Sequence, residues 1–375
     1  MSNPCSRSRV KGFVRADGRW MVNGDGEHIV LRGYGAGNWT NPEGFMVGGT
    51  RGFNTPYNRP QLMDRARSMD EAIRELCGSD YAKKFWPQWY RKHLGERDIE
   101  AMAELGYNSV RLVLNGAAFL FEEPGIHWNE DTFEMLDQVL DWCEQYKVYA
   151  ILDLHAAPGG QSCGGCDNGV DNVPHLFLDE ENWERAIVLW EEFARRYKDR
   201  WIVAGYDLLN EPLNNEEWFT VKDKLMAFYD DLIPRIRAID KKHMLTIEGP
   251  MWSTMMEIFD HDYDPEVRNW CIHIHNYGFQ PQLNEIMAVL DRAEEFNVPI
   301  WMGEGGSGNA NNAAFLELLA TEGIGYALWC WKSASPLDPN GRRFGGGGPA
   351  NYKLPDGWQQ IFDYCDHGGP KPGAV

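Results

Sequence analysis

The fold of this chain is decided by residues 202–212, which have the sequence Ile-Val-Ala-Gly-Tyr-Asp-Leu-Leu-Asn-Glu-Pro. The run is mostly apolar without strict alternation, a pattern typical of a strand that is buried on both faces. An amide and a carboxylic acid end the run, and the proline after them stops the strand. A strand of this kind belongs in a parallel sheet that helices cover.

Similar apolar runs recur along the chain, and longer amphipathic stretches separate them. We predict strands at residues 29–32, 109–113, 148–154, 202–209, 244–248, 270–275, 299–303 and 325–331. The clearest helical patterns lie at residues 131–146, 181–197, 218–239, 283–296 and 313–321. Eight strands that alternate with helices predict an α/β fold, a single (β/α)8 TIM barrel. An open doubly wound sheet is the alternative, but the glycines at 33–37 do not lead directly into a helix as its phosphate loop would.

No linker, charge block or internal repeat divides the chain, so we expect residues 1–375 to form one catalytic barrel domain. Residues 12–28 contain two turn signals and predict an N-terminal β-hairpin that covers the N-terminal end of the barrel. Residues 40–100 predict a long first βα loop with helical patterns at 61–77 and 80–105. Residues 341–375 are expected to form a C-terminal loop and tail.

Composition excludes several classes of partner. The formal net charge of −20 leaves no basic stripe for a phosphate backbone, so we expect no nucleic-acid partner. No run approaches the roughly 18 consecutive apolar residues of a transmembrane segment. Residues 1–14 lack the apolar stretch of a signal peptide, so we expect a cytoplasmic protein, or a secreted mature form without its signal. The oligomeric state is left open.

Polar side chains lie where the predicted strands end, and in a barrel such positions carry the chemistry. These residues are Arg111, His155, Asn210, Glu211, Glu248, His275, Tyr277, Glu304 and Trp331. Taken alone, each glutamate also suits a polar turn or a salt bridge. Together, Glu211 and Glu304 end different strands of one barrel and form the pair of carboxyl groups that glycoside hydrolysis needs.

The motifs at these strand ends resemble those of glycoside hydrolase family 5, a family of retaining barrel glycosidases, over about residues 13 to 331. They are Leu31-Arg32-Gly33 with Asn38-Trp39, Asn108-Ser109-Val110-Arg111, Asp153-Leu154-His155, Asn210-Glu211, His275-Asn276-Tyr277, Glu304, and Trp329-Cys330-Trp331-Lys332. The resemblance implies that Glu211, on the fourth strand, is the acid/base. It implies that Glu304, on the seventh strand, is the nucleophile.

The resemblance also implies supporting roles. Arg111 is expected to orient Glu304 and keep it ionised, because an adjacent guanidinium favours the charged carboxylate. Tyr277 is expected to donate a hydrogen bond to the same carboxylate. Asn210 would hold the 2-hydroxyl of the sugar, a contact that strengthens in the transition state.

Three further residues are expected to surround the cleaved sugar. By the same resemblance His155 and His275 line its subsite, and Trp331 is its stacking floor. Glu248 is expected beside or behind that subsite. One departure concerns Gly305-Gly306, because many relatives carry an aromatic residue after the nucleophile. This departure leaves the substrate preference open.

The loop after the third strand, residues 156–169, resembles that of exo-β-1,3-glucanases and related β-glucosidases. The resemblance favours an exo-acting enzyme on a β-linked glucoside, oligosaccharide or glycolipid, with a covalent glycosyl-enzyme intermediate. An endo-β-glucanase or β-mannanase, and a non-catalytic barrel that binds glycans, are the alternatives.

We expect no cofactor and no metal. Cys163-Gly-Gly-Cys166 lacks a second ligand pair at the spacing of a structural zinc site, so free thiols or a local disulfide are expected. His273 and His275 alternate onto one face of a strand. Two inward histidines of a sugar site explain this pair better than metal ligands do.

Overall fold

The computed structural model describes residues 3–46, 63–277, 286–306 and 310–332. Its strands are β1 (Arg15–Asp17), β2 (Trp20–Val22), β3 (Arg32–Gly35), β4 (Ser109–Asn115), β5 (Tyr149–Ala156), β6 (Val203–Asp207), β7 (Met244–Glu248), β8 (Trp270–Asn276), β9 (Ile300–Gly305) and β10 (Gly325–Leu328). Strands β3 to β10, the first to eighth barrel strands, pair in parallel and in chain order, and β10 closes the barrel against β3. The predicted TIM barrel is confirmed.

Helices surround the barrel between the strands. They are α1 (Ala66–Cys77), α2 (Ser79–His93), α3 (Glu96–Glu104), α4 (Gly116–Phe119), α5 (Glu130–Tyr146), α6 (His175–Leu178), α7 (Glu180–Tyr197), α8 (Lys222–Ile239), α9 (Met287–Phe296) and α10 (Ala310–Thr321). In α5, Leu136, Val139, Leu140 and Cys143 follow helical spacing and are all buried. No helix among the described residues combines the length and apolarity that crossing a bilayer would take.

The barrel strands are buried along their whole length in β4, β5, β6, β7 and β9, as their apolar runs predict. The first barrel strand, predicted at residues 29–32, begins at Arg32 instead. The reason is that Ile29 pairs with the hairpin through its N–H, which donates to the Met21 carbonyl at 2.9 Å. At Gly33 the backbone of β4 passes so close that a Cβ would lie 1.9 Å from the Ser109 carbonyl oxygen.

Two helical predictions are corrected. The pattern at residues 80–105 forms two helices, because Gly95 ends the first run and begins α3 with its N–H bonded to Asp98 at 2.8 Å. The pattern at 218–239 begins with a 3-10 turn, Glu216–Val221, before α8. The predictions for residues 47–62, 283–285 and 341–375 fall outside the described residues.

The predicted hairpin is formed by β1 and β2, which pair in antiparallel register around Gly18. Its contacts are with residues at or just before the starts of barrel strands. The Ala16 N–H donates to Asn269 before β8 at 2.9 Å, and the Lys11 N–H donates to the Tyr149 hydroxyl of β5 at 2.9 Å. The hairpin therefore covers the N-terminal end of the barrel, and the opposite end carries the functional site.

Candidate active site

Two carboxyl groups meet across one histidine at the C-terminal ends of the barrel strands. An oxygen of Glu211, an oxygen of Glu304 and a ring nitrogen of His275 all lie within 4.8 Å of one another. The His275 Nδ1 is 2.6 Å from Glu211 Oε1. Oxygens this close are compatible with the roughly 5–5.5 Å between the carboxyl groups of retaining glycosidases, which is shorter than the roughly 6.5–9.5 Å of inverting ones.

Both oxygens of Glu304 are held by donors. Tyr277 donates its hydroxyl hydrogen to Oε1 at 2.6 Å, and Arg111 donates from Nη1 to Oε2 at 2.9 Å. Burial alone would raise the pKa of Glu304, but the positive charges of His275 and Arg111 outweigh burial and lower it below its usual range. Glu304 is therefore ionised at neutral pH, as a nucleophile must be.

Arg111 is the central cation of the site, and its fully buried side chain extends from within β4. It donates from Nε to Asp207 at 2.8 Å and from Nη2 to the Asn210 side-chain oxygen at 2.7 Å. The carboxylates of Asp153 and Glu248 lie 3.1 and 3.2 Å from Nη2. The planar guanidinium fixes several groups at once, which a single ammonium could not do.

Glu211 stands on a left-handed backbone, with φ of 41°. Residues with a side chain adopt this region at a cost of about 1–3 kcal/mol, which is typical of functional sites. The Glu211 N–H donates to Glu248 Oε2 at 2.7 Å, and this hydrogen bond fixes the turn that carries Glu211. Asn214 donates from Nδ2 to Glu211 Oε2 at 3.3 Å, a contact that the sequence analysis did not identify.

His155 lines the same space, next to Asn210, as the resemblance implies. Its Nδ1 lies 2.8 Å from Asp153 Oδ2, and its Nε2 lies 3.5 Å from the Asn210 amide nitrogen. Burial lowers the pKa of His155, but the Asp153 carboxylate outweighs burial and raises it to about 10. His155 is therefore a cation at neutral pH.

Glu43 also faces this site, although the sequence analysis did not single it out. Its side chain is buried, and Oε1 lies 3.8 Å from His155 Nε2 without a hydrogen-bond partner among the described residues. Burial raises the pKa of Glu43 to about 7, against the opposing effect of His155. Glu43 lies in an irregular Gly-, Pro- and Asn-rich loop, where no periodic pattern indicates that its carboxyl group is buried.

Trp329, rather than the predicted Trp331, stacks on the ring of His155. The Trp329 indole lies parallel to the His155 ring, with centroids 5.3 Å apart and an interplanar angle of 2°. Trp331 packs edge-on against Tyr34, and its indole N–H donates to Asp98 of α3 at 3.0 Å. The strand ends at Leu328, before the predicted end at residue 331, so Trp329 is the first residue after the strand and becomes the candidate for the sugar's stacking floor.

The groups that a metal ion could use are already engaged with one another. Besides the cluster of Glu211, His275 and Glu304, donor atoms of Glu248, His273 and His275 lie within 4.8 Å of one another. The His273 Nδ1 is 2.8 Å from Asp207, and Glu248 pairs with Arg111. A bound cation would therefore face the guanidinium charge, which makes this set a poor fit for a metal.

The two loop cysteines are free thiols. Both Cys163 and Cys166 are buried, and burial raises the pKa of each thiol, with a further contribution from the Glu211 carboxylate at Cys166. Of the two alternatives, the structure contains the free thiols.

A model of the family described as Cellulase (glycosyl hydrolase family 5) matches residues 69–335. The chain belongs to glycoside hydrolase family 5. This finding confirms the resemblance seen at the strand ends.

Several proteins of known identity are similar to this family 5 chain. A β-xylosidase from Phanerodontia chrysosporium is 30% identical over 268 residues, which cover 71% of this chain and 52% of the relative. A glucan 1,3-beta-glucosidase from Candida oleophila is 29% identical over 231 residues, covering 58% and 49%. The chain thus spans about half the length of these relatives. The crystal structure of an endogalactoceramidase shares the fold, with a TM-score of 0.61 at 19% identity, covering 86% of this chain and 75% of that one.

Proposed function

We propose that this family 5 protein is a retaining β-glycoside hydrolase that removes one terminal sugar from β-glucosides. The observation that carries the proposal is the pair Glu211 and Glu304, whose oxygens lie within 4.8 Å of each other at the C-terminal end of the barrel. The two carboxyl groups have different surroundings, since Arg111 pairs with Glu304 and Asn214 bonds to Glu211. Such a difference suits two separate roles.

In the first step the ionised Glu304 attacks the anomeric carbon, and the bond from that carbon to the leaving oxygen breaks. Glu211 gives its proton to the leaving oxygen, so the alcohol departs neutral and an ester of Glu304 remains. In the second step Glu211, now a carboxylate, takes a proton from water. The resulting hydroxyl attacks the anomeric carbon and releases Glu304, with retention of configuration.

Exo action is supported by contacts between two loops on one side of the site. The loop after β3 carries Glu43, and the loop after β5 follows His155. Asn41 donates to the Cys166 carbonyl at 2.9 Å, and the buried Arg65 donates to the Asp171 carbonyl at 2.8 Å. Contacts of this kind between the two loops beside Glu43 are what a site for a single terminal sugar would require.

The similar proteins are named for different substrates. The glucan 1,3-beta-glucosidase and the β-xylosidase favour release of a monosaccharide, and the endogalactoceramidase favours a glycolipid as partner. An endo-β-glucanase or β-mannanase is the second candidate, because the matching family model is described as a cellulase. A non-catalytic glycan-binding barrel is disfavoured by the two carboxyl groups. Cytoplasmic location and single-domain organisation stay predictions.

A panel of aryl β-glycosides, followed by a soluble β-1,3-glucan and a soluble β-1,4-glucan, tests the proposal. We expect hydrolysis of the aryl β-glucoside, and a monosaccharide as the first product from the polymer while its viscosity hardly changes. A fall in viscosity before monosaccharide appears would establish endo action. Glycan binding with no turnover of any substrate would establish the non-catalytic alternative.

A further inference from the structure

A groove of about 550 Å³ lies between helices α1 and α2 on one side and α4 with the residues that follow it on the other. Asn115, the last residue of β4, also lines it. Trp86 and Tyr90 of α2 and Phe121 after α4 contribute aromatic rings to the lining. The volume falls within the roughly 300–1,000 Å³ that is usual for sites that bind small molecules.

The charges that line the groove balance one another. Three cations and three carboxylates contribute to the lining, namely Arg67, Arg74, Lys83, Asp70, Glu122 and Asp131. Arg67 Nη1 donates to Glu122 Oε2 at 2.9 Å and so joins the two sides of the groove. Within α1, Arg74 pairs with Asp70. An anionic ligand would meet as many negative charges as positive ones, and a wholly apolar ligand would take water from charged groups at a cost. The groove therefore suits an uncharged polar molecule.

Asn168 leaves a hydrogen-bond acceptor open at this groove. It lines the groove and is 7% exposed, and its Oδ1 accepts no hydrogen bond among the described residues. The backbone of Asn168 is fixed, because its carbonyl accepts from Arg67 Nε at 3.0 Å. Buried polar atoms are nearly always paired, so this oxygen needs a donor. A hydroxyl of a ligand in the groove can supply that donor.

The groove is separate from the catalytic pocket. Its lining includes none of the residues Glu43, His155, Glu211, Glu304 and Trp329. The loop after β5 contacts both sites. Asn168 of this loop lines the groove, whereas the Cys166 Sγ lies 3.7 Å from the amide nitrogen of Asn214, which bonds to the acid/base. The buried Arg65 fixes the loop through the Asp171 carbonyl at 2.8 Å. A ligand in the groove therefore binds outside the catalytic pocket, on the far side of a fixed loop.

We propose that this groove is a second, non-catalytic site for an uncharged glycan, which binds with a sugar face against Trp86 and Phe121. Sugars combine apolar C–H faces with hydroxyls that both donate and accept. The groove offers the matching groups, since aromatic rings lie beside paired charges and an open amide oxygen. The Trp86 ring is held in place by its indole N–H, which donates to Asp70 Oδ1 at 2.9 Å. The identity of the glycan rests on the proposed hydrolase function, whose polymer substrate the groove would hold beside the catalytic pocket.

Binding and turnover are measured separately so that the two proposals fail separately. Thio-linked tetrasaccharides of β-1,3- and β-1,4-linked glucose, which a glycosidase does not hydrolyse, are titrated by calorimetry. We expect wild type to bind two molecules per chain, one in the catalytic pocket and one in the groove. Turnover is measured with a soluble β-1,3-glucan and with an aryl β-glucoside, which is too small to occupy both sites.

The variant W86A should bind one tetrasaccharide per chain, because the second site loses its aromatic platform. It should raise KM for the polymer about tenfold more than KM for the aryl β-glucoside. F121A is the milder second variant, since Phe121 is 43% exposed, and it should weaken the second site in part. The matched control W20A changes a tryptophan that is 41% exposed, in the hairpin at the opposite end of the barrel, and should keep both sites. Thermal unfolding shows which variants fold.

A single binding site in wild type would overturn the groove proposal, as would two sites that W86A and F121A both leave intact. Tighter binding of a β-linked tetrasaccharide of glucuronic acid than of the glucose ligands, lost in W86A, would assign the groove to an anion and contradict the proposal. Absence of turnover alongside Trp86-dependent binding of a second tetrasaccharide would overturn the hydrolase function alone.

Discussion

Tyr277 donates its hydroxyl hydrogen to Oε1 of Glu304 over 2.6 Å. The other oxygen of Glu304 accepts from Arg111, so the carboxylate is held at both ends and cannot rotate freely. Tyr277 follows the sixth barrel strand and Glu304 lies on the seventh, and neighbouring parallel strands bring them together. The contact makes Tyr277 a positioning residue for the proposed nucleophile.

Replacement of Tyr277 by Phe should lower kcat about 10- to 100-fold, the effect of one hydrogen bond to a charged group. The same bond helps to lower the pKa of Glu304. Its loss should raise that pKa and move the acidic limb of the kcat/KM profile to higher pH. Y146F, which removes a surface hydroxyl bonded to Glu96, is the matched control. An unchanged rate and acidic limb in Y277F would contradict this role.

Replacement of Glu43 by Gln should change how stability depends on pH. Burial raises the pKa of Glu43 in the folded state from 4.5 to about 7. Between these two pH values the folded state therefore binds more protons than the unfolded state. The resulting contribution of Glu43 to the free energy of unfolding is about 3 kcal/mol. It is fully present below pH 4.5 and is lost as the pH rises through about 7. E43Q should remove that decline in thermal midpoints measured from pH 5 to 8. The control E266Q alters an exposed carboxylate. If the thermal midpoint of E43Q declined with pH as steeply as that of the control, the raised pKa of Glu43 would be refuted.

Trp329 and Trp331 should respond differently to substitution. W329A removes the face parallel to His155 and should lower kcat/KM about tenfold or more, mainly through KM. W331A removes a buried core ring and should lower the free energy of unfolding by about 3–5 kcal/mol. Its kcat/KM per folded molecule should stay near that of wild type. Both variants are compared by steady-state kinetics and thermal unfolding. A large loss of kcat/KM in W331A, with little change in W329A, would instead support Trp331 as the sugar platform.

The sequence predicted the barrel and the meeting of Glu211 with Glu304, because both follow from the pattern of buried strands; the catalytic roles of the two residues stay predictions. Runs such as 202–209 mark strands buried on both faces, and their polar ends mark the site. Glu43 was not predicted, because an irregular loop has no periodic pattern of hydrophobic residues from which the burial of a side chain can be inferred. Asp153 and Asp207 lie inside apolar runs, so only the folded barrel shows them as partners of Arg111. The choice between Trp329 and Trp331 depended on where the last strand ends, which apolar patterns locate poorly.

Arg111 should prove far more important for stability than a surface arginine. R111K keeps the charge but loses the planar set of donors, and so leaves buried carboxylates without full pairing. We expect a loss of about 3–5 kcal/mol in the free energy of unfolding, with little activity remaining. The control R97K alters a side chain that is 71% exposed and should leave the free energy of unfolding close to that of wild type. Equal stability of the two variants would contradict the charge arrangement.

The anomer of the sugar azide formed by two variants tests the paired roles of Glu304 and Glu211 most directly. E304G and E211G are each given a dinitrophenyl β-glycoside and azide, and the product is identified by nuclear magnetic resonance. E304G should yield the α-glycosyl azide, because azide replaces the nucleophile in a single inversion. E211G should yield the β-glycosyl azide, because azide replaces water in the second of two inversions. The opposite anomers, or no azide product from either variant, would contradict the assignment of nucleophile and acid/base.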